Sequence, residues 1–361
     1  MTFAEARARF PVLERVAYLN AGTFGPLSRA SMDAIAAENL RAGEEGRAGL
    51  PYVERMLALR SRVRERLAGH IGVEPERLAL TDSTTTGCNV VLAGLDLGPD
   101  DEIVTTDTEH FGLLGPLIAS PARVRVARLE SATGDEAIDR LLAEVSARTR
   151  LLAVSHVSWL TGHRLDVARL RAESGVPVVV DGAQSVGAIE VDASAVDFYT
   201  VSGQKWLCGP DSIGALFVAD PDRLAVARPS YFSQASNNPR APSFEPKPGA
   251  ARFDSGWIAP SSLAGLDAAL DDLPAWRFAH AAETAERCRR LLAEQYEIVT
   301  QPGQATLVSF RAPGDVSAIA KRLYELGVAI RDLPGTGLLR VSCGWWTSDD
   351  DLDRLVAALG E

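Results

Sequence analysis

Short apolar runs rich in valine, isoleucine and leucine recur along this chain, and stretches of helical periodicity lie between them. A strand–helix alternation of this kind predicts a mostly parallel sheet that is covered by helices on both faces. The run PVVV at 177–180 is apolar without interruption, as expected of a central strand that is buried on both faces. The predicted strands lie at 77–81, 102–107, 123–129, 151–157, 177–183, 198–203 and 213–219, and helices are predicted at 135–147 and 166–174.

The length of 361 residues indicates two domains rather than one. A stretch rich in Pro, Ser and Asn at 228–256 breaks the alternation, and a loop of that length in a compact protein is usually functional or disordered. A single long helical stretch is predicted at 261–294. We therefore predict a large α/β domain over residues 1–262, with an N-terminal arm, and a small α+β domain over residues 263–361. Within the small domain, strands are predicted at 306–310 and 338–342, and helices at 316–327 and 348–359.

The composition excludes several classes of partner. A formal net charge of −11 argues against nucleic acid, because proteins that bind it concentrate Lys and Arg on one face. No apolar run approaches the ~20 residues that span a bilayer, and the start of the sequence lacks the apolar core of a secretory signal. The four cysteines are far apart and the five histidines are scattered, which predicts free thiols in a reducing cytoplasm and no metal site.

A hydroxyl-rich turn, TDSTTTG at 81–87, follows the first predicted strand of the sheet and precedes a helix that we expect to begin near Thr84. The first turn of a helix carries backbone N–H groups without intrahelical partners and the positive end of the helix dipole, and together these bind anions. Hydroxyl groups can add donors to a phosphate. The same residue types also form ordinary helix N-caps, and this stretch alone does not decide between the two interpretations.

Two charged residues follow strands at what should be the carboxyl edge of the sheet, where ligands of open α/β sheets bind. Asp181 ends the strand PVVVD, and Lys205 comes just after the strand DFYTVS. Asp181 could keep a pyridine nitrogen protonated, or it could merely cap the next turn. Lys205 could be an amine held for covalent chemistry, or a lysine whose stem covers apolar surface while its ammonium group reaches water.

A lysine that captures an aldehyde, an acid for a ring nitrogen and a helix start for a phosphate are the three parts that a protein supplies to pyridoxal 5′-phosphate. Each part is a weak signal by itself. Because all three are predicted at one edge of one sheet, the sequence predicts pyridoxal 5′-phosphate as the cofactor.

The chain resembles the class V branch of pyridoxal-phosphate enzymes, the superfamily of cysteine desulfurases, isopenicillin N epimerases and C–S lyases. The resemblance runs from YLNAGTFGPLS at 18–28 to the segment 339–359, and TEHFGLL, DGAQSVGAIEVD and SGQKWLCGPDSIGALFV carry it. Within the superfamily, TTTGCNVVLAGLD, TDTEHFG and SHVSWLTG look most like the cystine C–S lyase. The resemblance implies the pyridoxal-phosphate-dependent transferase fold (fold type I) and a homodimer with active sites at the subunit boundary.

The resemblance also implies roles for individual residues. Lys205 would form the Schiff base with the cofactor, Asp181 would pair with the ring nitrogen, and His110 would stack over the pyridine face. Arg340 would bind the substrate carboxylate with its guanidinium fork. Taken alone, however, His110 is more typical of a surface residue or a helix cap, and Arg340 is equally typical of a structural ion pair. The remaining implied contacts are Gln184 to the ring hydroxyl oxygen, Thr84, Thr85, Ser202 and Gln204 to the phosphate, and Arg331, Trp159 and Asn20 to the substrate.

The sequence departs from the desulfurases at the place where they keep a nucleophilic cysteine, on a mobile loop before the carboxylate-binding arginine. The interval 331–340 is short here and has no cysteine. Cys343 follows Arg340 on the same predicted strand and is not expected to reach the substrate. Persulfide chemistry on a protein cysteine is therefore not expected.

Three further positions differ from the desulfurase pattern. Trp159 stands where desulfurases carry an asparagine, and the cystine lyase is similar to this chain there. Gln204 replaces the usual histidine before the lysine. Trp257 stands where a threonine of the second subunit usually contacts the phosphate, so that Ser255 or backbone N–H groups would have to replace that contact.

These observations predict a cytoplasmic C–S lyase that acts on cystine or a cysteine S-conjugate and releases pyruvate, ammonia and a persulfide or thiol. A class V aminotransferase or epimerase is the alternative, because the cofactor carries the chemistry and the pocket selects the outcome. A catalytically inactive scaffold protein on the same fold is a third hypothesis. The joint presence of Asp181, Lys205 and Arg340 counts against it.

Overall fold

A computed structural model describes residues 1–129 and 132–360 of the chain. Its main element is a seven-stranded sheet in which six strands run in one direction, while Gly214–Val218 runs antiparallel to both of its neighbours. The mostly parallel α/β sheet predicted from the sequence is confirmed. The order of strands across the sheet is Leu78–Thr81, Gly214–Val218, Phe198–Ser202, Val178–Asp181, Thr149–Ser155, Glu102–Thr106 and Arg123–Ala127.

Successive residues of each strand point to two separate cores on the two faces of the sheet. Val178 and Val180 belong to one core and Val179 to the other, and all three are buried, as expected of a central strand. Thr84–Gly94 and Phe111–Ala119 cover the face of Val179. The helices that cover the face of Val178 and Val180 are Leu50–His70, Gly134–Ala143, Val167–Ser174 and Pro260–Asp271.

A second, antiparallel sheet lies in the C-terminal part of the chain. Ser348 caps the last helix, because its Oγ accepts a hydrogen bond from the Asp351 backbone N–H (3.3 Å). The strands run in the order Glu297–Ile298, Leu307–Arg311, Leu338–Ser342 and Arg331–Leu333, and the accompanying helices are Arg277–Ala293, Val316–Glu325 and Asp349–Gly360.

The N-terminal segment connects the two sheets. Its strand Ala17–Tyr18 pairs in parallel with Val328–Ala329, and Leu19 is buried in the core of the C-terminal part. The preceding helix is Phe3–Arg7, and the following helix Arg29–Glu44 packs against Pro260–Asp271. The division of the chain at residue 262 stays a prediction, and residue 361, at the end of the predicted small domain, lies outside the described residues.

Two predicted elements differ in the structure. The single helical stretch at 261–294 is wrong, because the chain forms two helices with Pro274 between them, and proline lacks the N–H that a helix interior requires. The loop predicted at 228–256 contains an exposed hairpin of Gln234–Asn238 and Ser243–Pro246. Within the described ranges, no helix combines the length and the apolar character needed to cross a membrane.

Candidate active site

A cavity of about 300 Å³ lies where the carboxyl edge of the large sheet meets the C-terminal sheet. Two of the predicted site residues, Asp181 and Asn20, are not part of its wall. The other predicted site residues line the cavity: Thr84, Thr85, His110, Trp159, Gln184, Ser202, Gln204, Lys205, Arg331 and Arg340. The wall also contains residues that were not predicted, which are Gly22, Thr23, Phe24, Ser83, Ala183 and Leu333.

The helix Thr84–Gly94 begins at the wall of the cavity. Ser83 is its N-cap, and Ser83 Oγ accepts a hydrogen bond from the Thr86 N–H (3.2 Å). The N–H groups of Thr84 and Thr85 precede that bond, and nothing within the helix can accept from them. The two interpretations of this turn therefore apply together, since one residue caps the helix and the next two present N–H and hydroxyl donors to an anion.

The amine of Lys205 lies in the cavity just past the end of its strand. Its pKa is lowered to about 8, mainly because the amine is buried; the charge of Asp181 opposes this effect and the charge of Arg340 adds to it. The backbone is held by Gly25, whose N–H donates to Gln204 O (2.8 Å). A Cβ at Gly25 would lie 2.0 Å from the Lys205 carbonyl oxygen, so only glycine permits this approach. The geometry favours an amine held for chemistry over one that reaches bulk water.

Asp181 is buried at the end of the neighbouring strand, behind the wall of the cavity. Its Oδ1 accepts hydrogen bonds from the Ala183 N–H (2.9 Å) and from Thr200 Oγ1 (3.3 Å), so one oxygen does cap the turn. Oδ2 receives no hydrogen bond from the residues that the structure describes. The charge of Asp181 raises the pKa of both Lys205 and His110 against the effect of burial. A buried carboxylate with one free oxygen suits a cationic nitrogen as its partner.

His110 caps a helix and also lines the cavity. Its Nδ1 accepts a hydrogen bond from the Gly112 N–H (3.0 Å), so this nitrogen carries no proton. Burial lowers the pKa of His110, and the charge of Lys205 lowers it further, which keeps the ring neutral. The ring meets Trp159 edge-on, with 5.0 Å between centroids and 85° between planes. The capping bond fixes the ring without removing it from the cavity.

The side-chain amide of Gln184 is fixed at both ends. Nε2 donates to Gly22 O (2.8 Å) and Oε1 accepts from Trp206 Nε1 (3.0 Å). Because an indole nitrogen only donates and a carbonyl oxygen only accepts, these bonds determine the orientation of the amide. One N–H of the amide remains for an acceptor in the cavity. Nearby, Ser202 Oγ donates to Gln204 Oε1 (2.8 Å).

Arg340 is a buried cation without an anionic partner. Only 2% of it is exposed, Nη1 donates to the carbonyl oxygen of Trp159 (3.0 Å), and Nε has no partner. No carboxylate of the described residues forms an ion pair with it, so the interpretation of Arg340 as a structural ion pair is wrong. Burial and, to a smaller extent, the charge of Arg331, directly opposite on the adjacent strand, together lower its pKa to about 9. A Cβ at Gly22 would lie 2.6 Å from Nη2. Such a site is completed by an anion, as a substrate carboxylate would provide.

Glu109 supports this site, although the sequence analysis overlooked it. Its buried carboxylate accepts hydrogen bonds from the Ser155 N–H (3.0 Å), Ser155 Oγ (2.5 Å) and Thr106 Oγ1 (2.7 Å), and burial raises its pKa to about 7. Glu109, the residue before His110, is thus anchored to the ends of two strands, at Thr106 and Ser155. The available signal was an acidic residue between a buried strand and a helix that carries a candidate site residue.

Other residues of the sequence analysis lie elsewhere. Asn20 Oδ1 accepts a hydrogen bond from Thr23 Oγ1 (2.9 Å), and it is Thr23 that lines the cavity. The Ser255 N–H donates to Leu80 O (2.9 Å), and Trp257 is exposed outside this cavity. Cys343 is buried in the core of the C-terminal part, away from the cavity, as expected.

The comparisons with known proteins agree with this geometry. The model of the aminotransferase class-V family matches residues 29–355. Isopenicillin N epimerase of Streptomyces clavuligerus is 30% identical, over 98% of this chain and 97% of its own. A probable cysteine desulfurase of Pseudomonas aeruginosa is 32% identical, over 84% of this chain and 81% of its own. The solved complex of the cystine C–S lyase C-DES with cysteine persulfide has a TM-score of 0.90 and 28% identity, over 98% of this chain and 99% of that one. A lysine-to-alanine variant of C-DES carries glycine covalently linked to its PLP cofactor.

Replacing Lys205 by alanine should abolish covalent attachment of the cofactor and leave the fold intact, because the change removes one amine from the wall of a cavity. Borohydride reduction followed by mass spectrometry of the peptides measures the attachment. Lys321→Ala, on an exposed helix face, is the matched control and should still carry the label on Lys205. Reductive label on Lys247 or Lys321 in the Lys205→Ala variant would place the cofactor elsewhere.

The rate of cofactor loading should rise with pH and level off above about 8, because only the neutral amine of Lys205 attacks an aldehyde. At pH 7 an amine with this pKa is about one-tenth neutral, against roughly one part in 2,500 for an ordinary lysine. Stopped-flow absorbance of the apoenzyme mixed with pyridoxal phosphate measures the rate. Arg340→Met removes a charge that lowers the pKa of Lys205, so its profile should move to higher pH. A wild-type rate that still climbs steeply at pH 9.5 would contradict the assignment.

Proposed function

The chain belongs to the aminotransferase class-V family, and from this premise we propose that it is a C–S lyase acting on cystine or a cysteine S-conjugate. Its cofactor is pyridoxal phosphate. The residues at the cavity fit that group: a helix start with two threonines for the phosphate, a buried carboxylate for the ring nitrogen and an amine for the aldehyde.

The proposal rests on the hairpin between Arg331–Leu333 and Leu338–Ser342. Its turn, 334–337, is closed by two hydrogen bonds to Leu333 O, from the Thr336 N–H (3.2 Å) and from Thr336 Oγ1 (2.8 Å). This turn contains no cysteine, and it is too short to reach into the cavity. The segment therefore offers no thiol that could accept sulfur from the substrate, and we infer that the sulfur leaves as an independent group.

The residues of the cavity divide the work of such an elimination. The guanidinium of Arg340 binds the substrate carboxylate and so fixes the α-carbon. Lys205 Nζ, in its neutral form, takes the proton from that carbon as general base. The cofactor, when bound, withdraws the electron pair left on the α-carbon. The neutral ring of His110 and the indole of Trp159 form a neighbouring part of the cavity wall.

The overall reaction balances with one water molecule. The bond between Cβ and sulfur breaks, and the leaving group departs with the electron pair as a persulfide from a disulfide substrate or as a thiolate from a thioether. The three-carbon enamine that remains is hydrolysed to pyruvate and ammonia. No oxidant or reductant is consumed.

Epimerisation is the second candidate, because two isopenicillin N epimerases are 30% and 31% identical over nearly the full length of this chain. In that reaction the proton returns to the opposite face of the α-carbon and no group leaves Cβ. Transamination would instead transfer the amino group to a keto acid. The products separate the three reactions.

Elimination should dominate with longer sulfur substrates, because a persulfide or thiolate departs readily and Trp159 can pack against the distal half of the substrate. Coupled pyruvate and ammonia detection with L-cystine, S-substituted cysteines and L-cysteine measures it. Trp159→Ala should lower kcat/KM for the longer substrates about tenfold and change that for cysteine little. Chiral chromatography and alanine with a keto acid are run in parallel. A stereoinverted amino acid or efficient amino-group transfer, with no pyruvate from any sulfur substrate, would reject the lyase.

We also propose that the protein is a homodimer, since large aromatic side chains lie exposed near the hairpin of residues 234–246. Trp257 is 64% exposed and stacks on Tyr231, itself 68% exposed, with 6.2 Å between centroids. A second copy would cover this surface. Multi-angle light scattering at micromolar concentration should give twice the chain mass, and Trp257→Asp should favour monomers. A wild-type monomer with full activity would contradict this.

A further inference from the structure

We propose that Phe24 selects amino acids whose side-chain sulfur carries an apolar substituent, such as S-alkyl and S-aryl cysteines. This proposal deepens the proposed function and rests on it in one respect, that the substituent is carried by sulfur. Neither the departures from the desulfurase pattern nor the predicted site residues include Phe24.

The position of Phe24 is fixed by its backbone. The N–H groups of Thr23 and Phe24 both donate to the carbonyl oxygen of Asn20 (3.0 and 3.2 Å), which closes a tight turn. On the other side, Tyr18 Oη donates to Phe24 O (3.1 Å). Because the backbone of this turn is fixed on both sides, the ring of Phe24 can change position only by changing its side-chain rotamer, and little backbone entropy is lost when a ligand contacts it.

Phe24 lines the same cavity as Lys205. The next residue, Gly25, donates its N–H to Gln204 O (2.8 Å) and packs directly on the carbonyl oxygen of Lys205. Phe24 lines the cavity and is nevertheless 50% exposed, so its ring stands at the mouth. A half-exposed aromatic ring beside a reactive group gains stability when an apolar part of a ligand covers it.

The opposite parts of the wall reinforce this preference. Trp159 and Leu333 reach the same cavity from two other segments of the chain. An apolar substituent on sulfur covers such side chains without losing hydration. The second half of cystine would bring an ammonium and a carboxylate to the same place. Arg331 can pair with the carboxylate, but no carboxylate is among the described residues that line the cavity, so desolvating the ammonium there is costly. The wall therefore favours thioethers with apolar tails.

The test measures ligand binding and needs no C–S cleavage. L-Norvaline and L-homophenylalanine are analogues of S-methyl- and S-phenyl-cysteine in which methylene replaces sulfur, and 2,7-diaminosuberate is the corresponding analogue of cystine. Each is titrated into the holoenzyme, and the change in cofactor absorbance gives Kd. The wild type should bind homophenylalanine about tenfold more tightly than norvaline and more tightly than diaminosuberate, as expected for covering roughly half of a phenyl ring.

Phe24→Ala should lower the ratio of the norvaline and homophenylalanine Kd values about threefold or more, because Trp159 and Leu333 keep the rest of the preference, and Phe24→Leu should keep most of the ratio. Phe111→Ala is the matched control, since Phe111 is 74% exposed next to His110 but does not line the cavity, and its ratio should equal that of the wild type. An unchanged ratio in Phe24→Ala, or tighter binding of diaminosuberate than of homophenylalanine by the wild type, would overturn the proposal.

Two further outcomes separate the hypotheses. Light scattering on the Phe24→Ala variant shows whether its oligomeric state matches that of the wild type. A change of state with both ligands weakened equally would assign Phe24 to an interface and overturn the proposal. If the ratio falls as expected while no sulfur substrate yields pyruvate, the selection by Phe24 is supported and the lyase activity alone is rejected.

Discussion

The charge balance of the cavity is the constraint on which the rest of the site depends. The Lys205 amine and the Arg340 guanidinium both lose much of their hydration, and burial lowers the pKa of each. The carboxylate of Asp181 opposes this effect at Lys205, and Arg340 receives no such compensation among the described residues. Keeping a charge out of water costs several kcal/mol even after relaxation. The cavity without ligands is therefore short of negative charge, and a phosphate and a carboxylate are the groups that restore its charge balance.

Different parts of the chain hold the cofactor and select the substrate. The large sheet supplies Asp181, Lys205 and the helix that starts at Thr84, which are the parts that a shared cofactor requires. The rest of the wall includes the N-terminal turn, the hairpin that begins at Arg331, and Trp159. Since class V relatives of different activity resemble this chain along most of its length, we expect the differences in chemistry to arise mainly in this second group.

Residues at strand ends could be predicted from the sequence because buried parallel strands are continuous apolar runs, and the polar residue that ends such a run is conspicuous. Asp181 and Lys205 were found in this way. Glu109 was not, because its role depends on hydrogen bonds to strand ends that are distant in sequence. The break at Pro274 is not predicted by periodicity, because the apolar residues on both sides keep a helical spacing although proline cannot continue the helix. The turn of Phe24 is closed locally by Asn20 and Tyr18, but its place at the cavity depends on the contacts of Gly25 with Gln204 and Lys205, and no local sequence pattern predicts these contacts.

The N-terminal segment has a consequence for how the protein is made. Gly22 donates its N–H to Ser342 Oγ (3.1 Å), across 320 residues of sequence, and strand Ala17–Tyr18 can pair only when Val328–Ala329 exists. When the large sheet has left the ribosome, residues 328–342, which pair with Ala17–Tyr18 and with Gly22, have not. The pairing of the N-terminal segment with the C-terminal part therefore forms late, and contacts of such long sequence separation form slowly. During that interval the apolar side chains of Ala17 and Leu19, which are buried in the C-terminal core of the finished fold, stay uncovered and can promote aggregation.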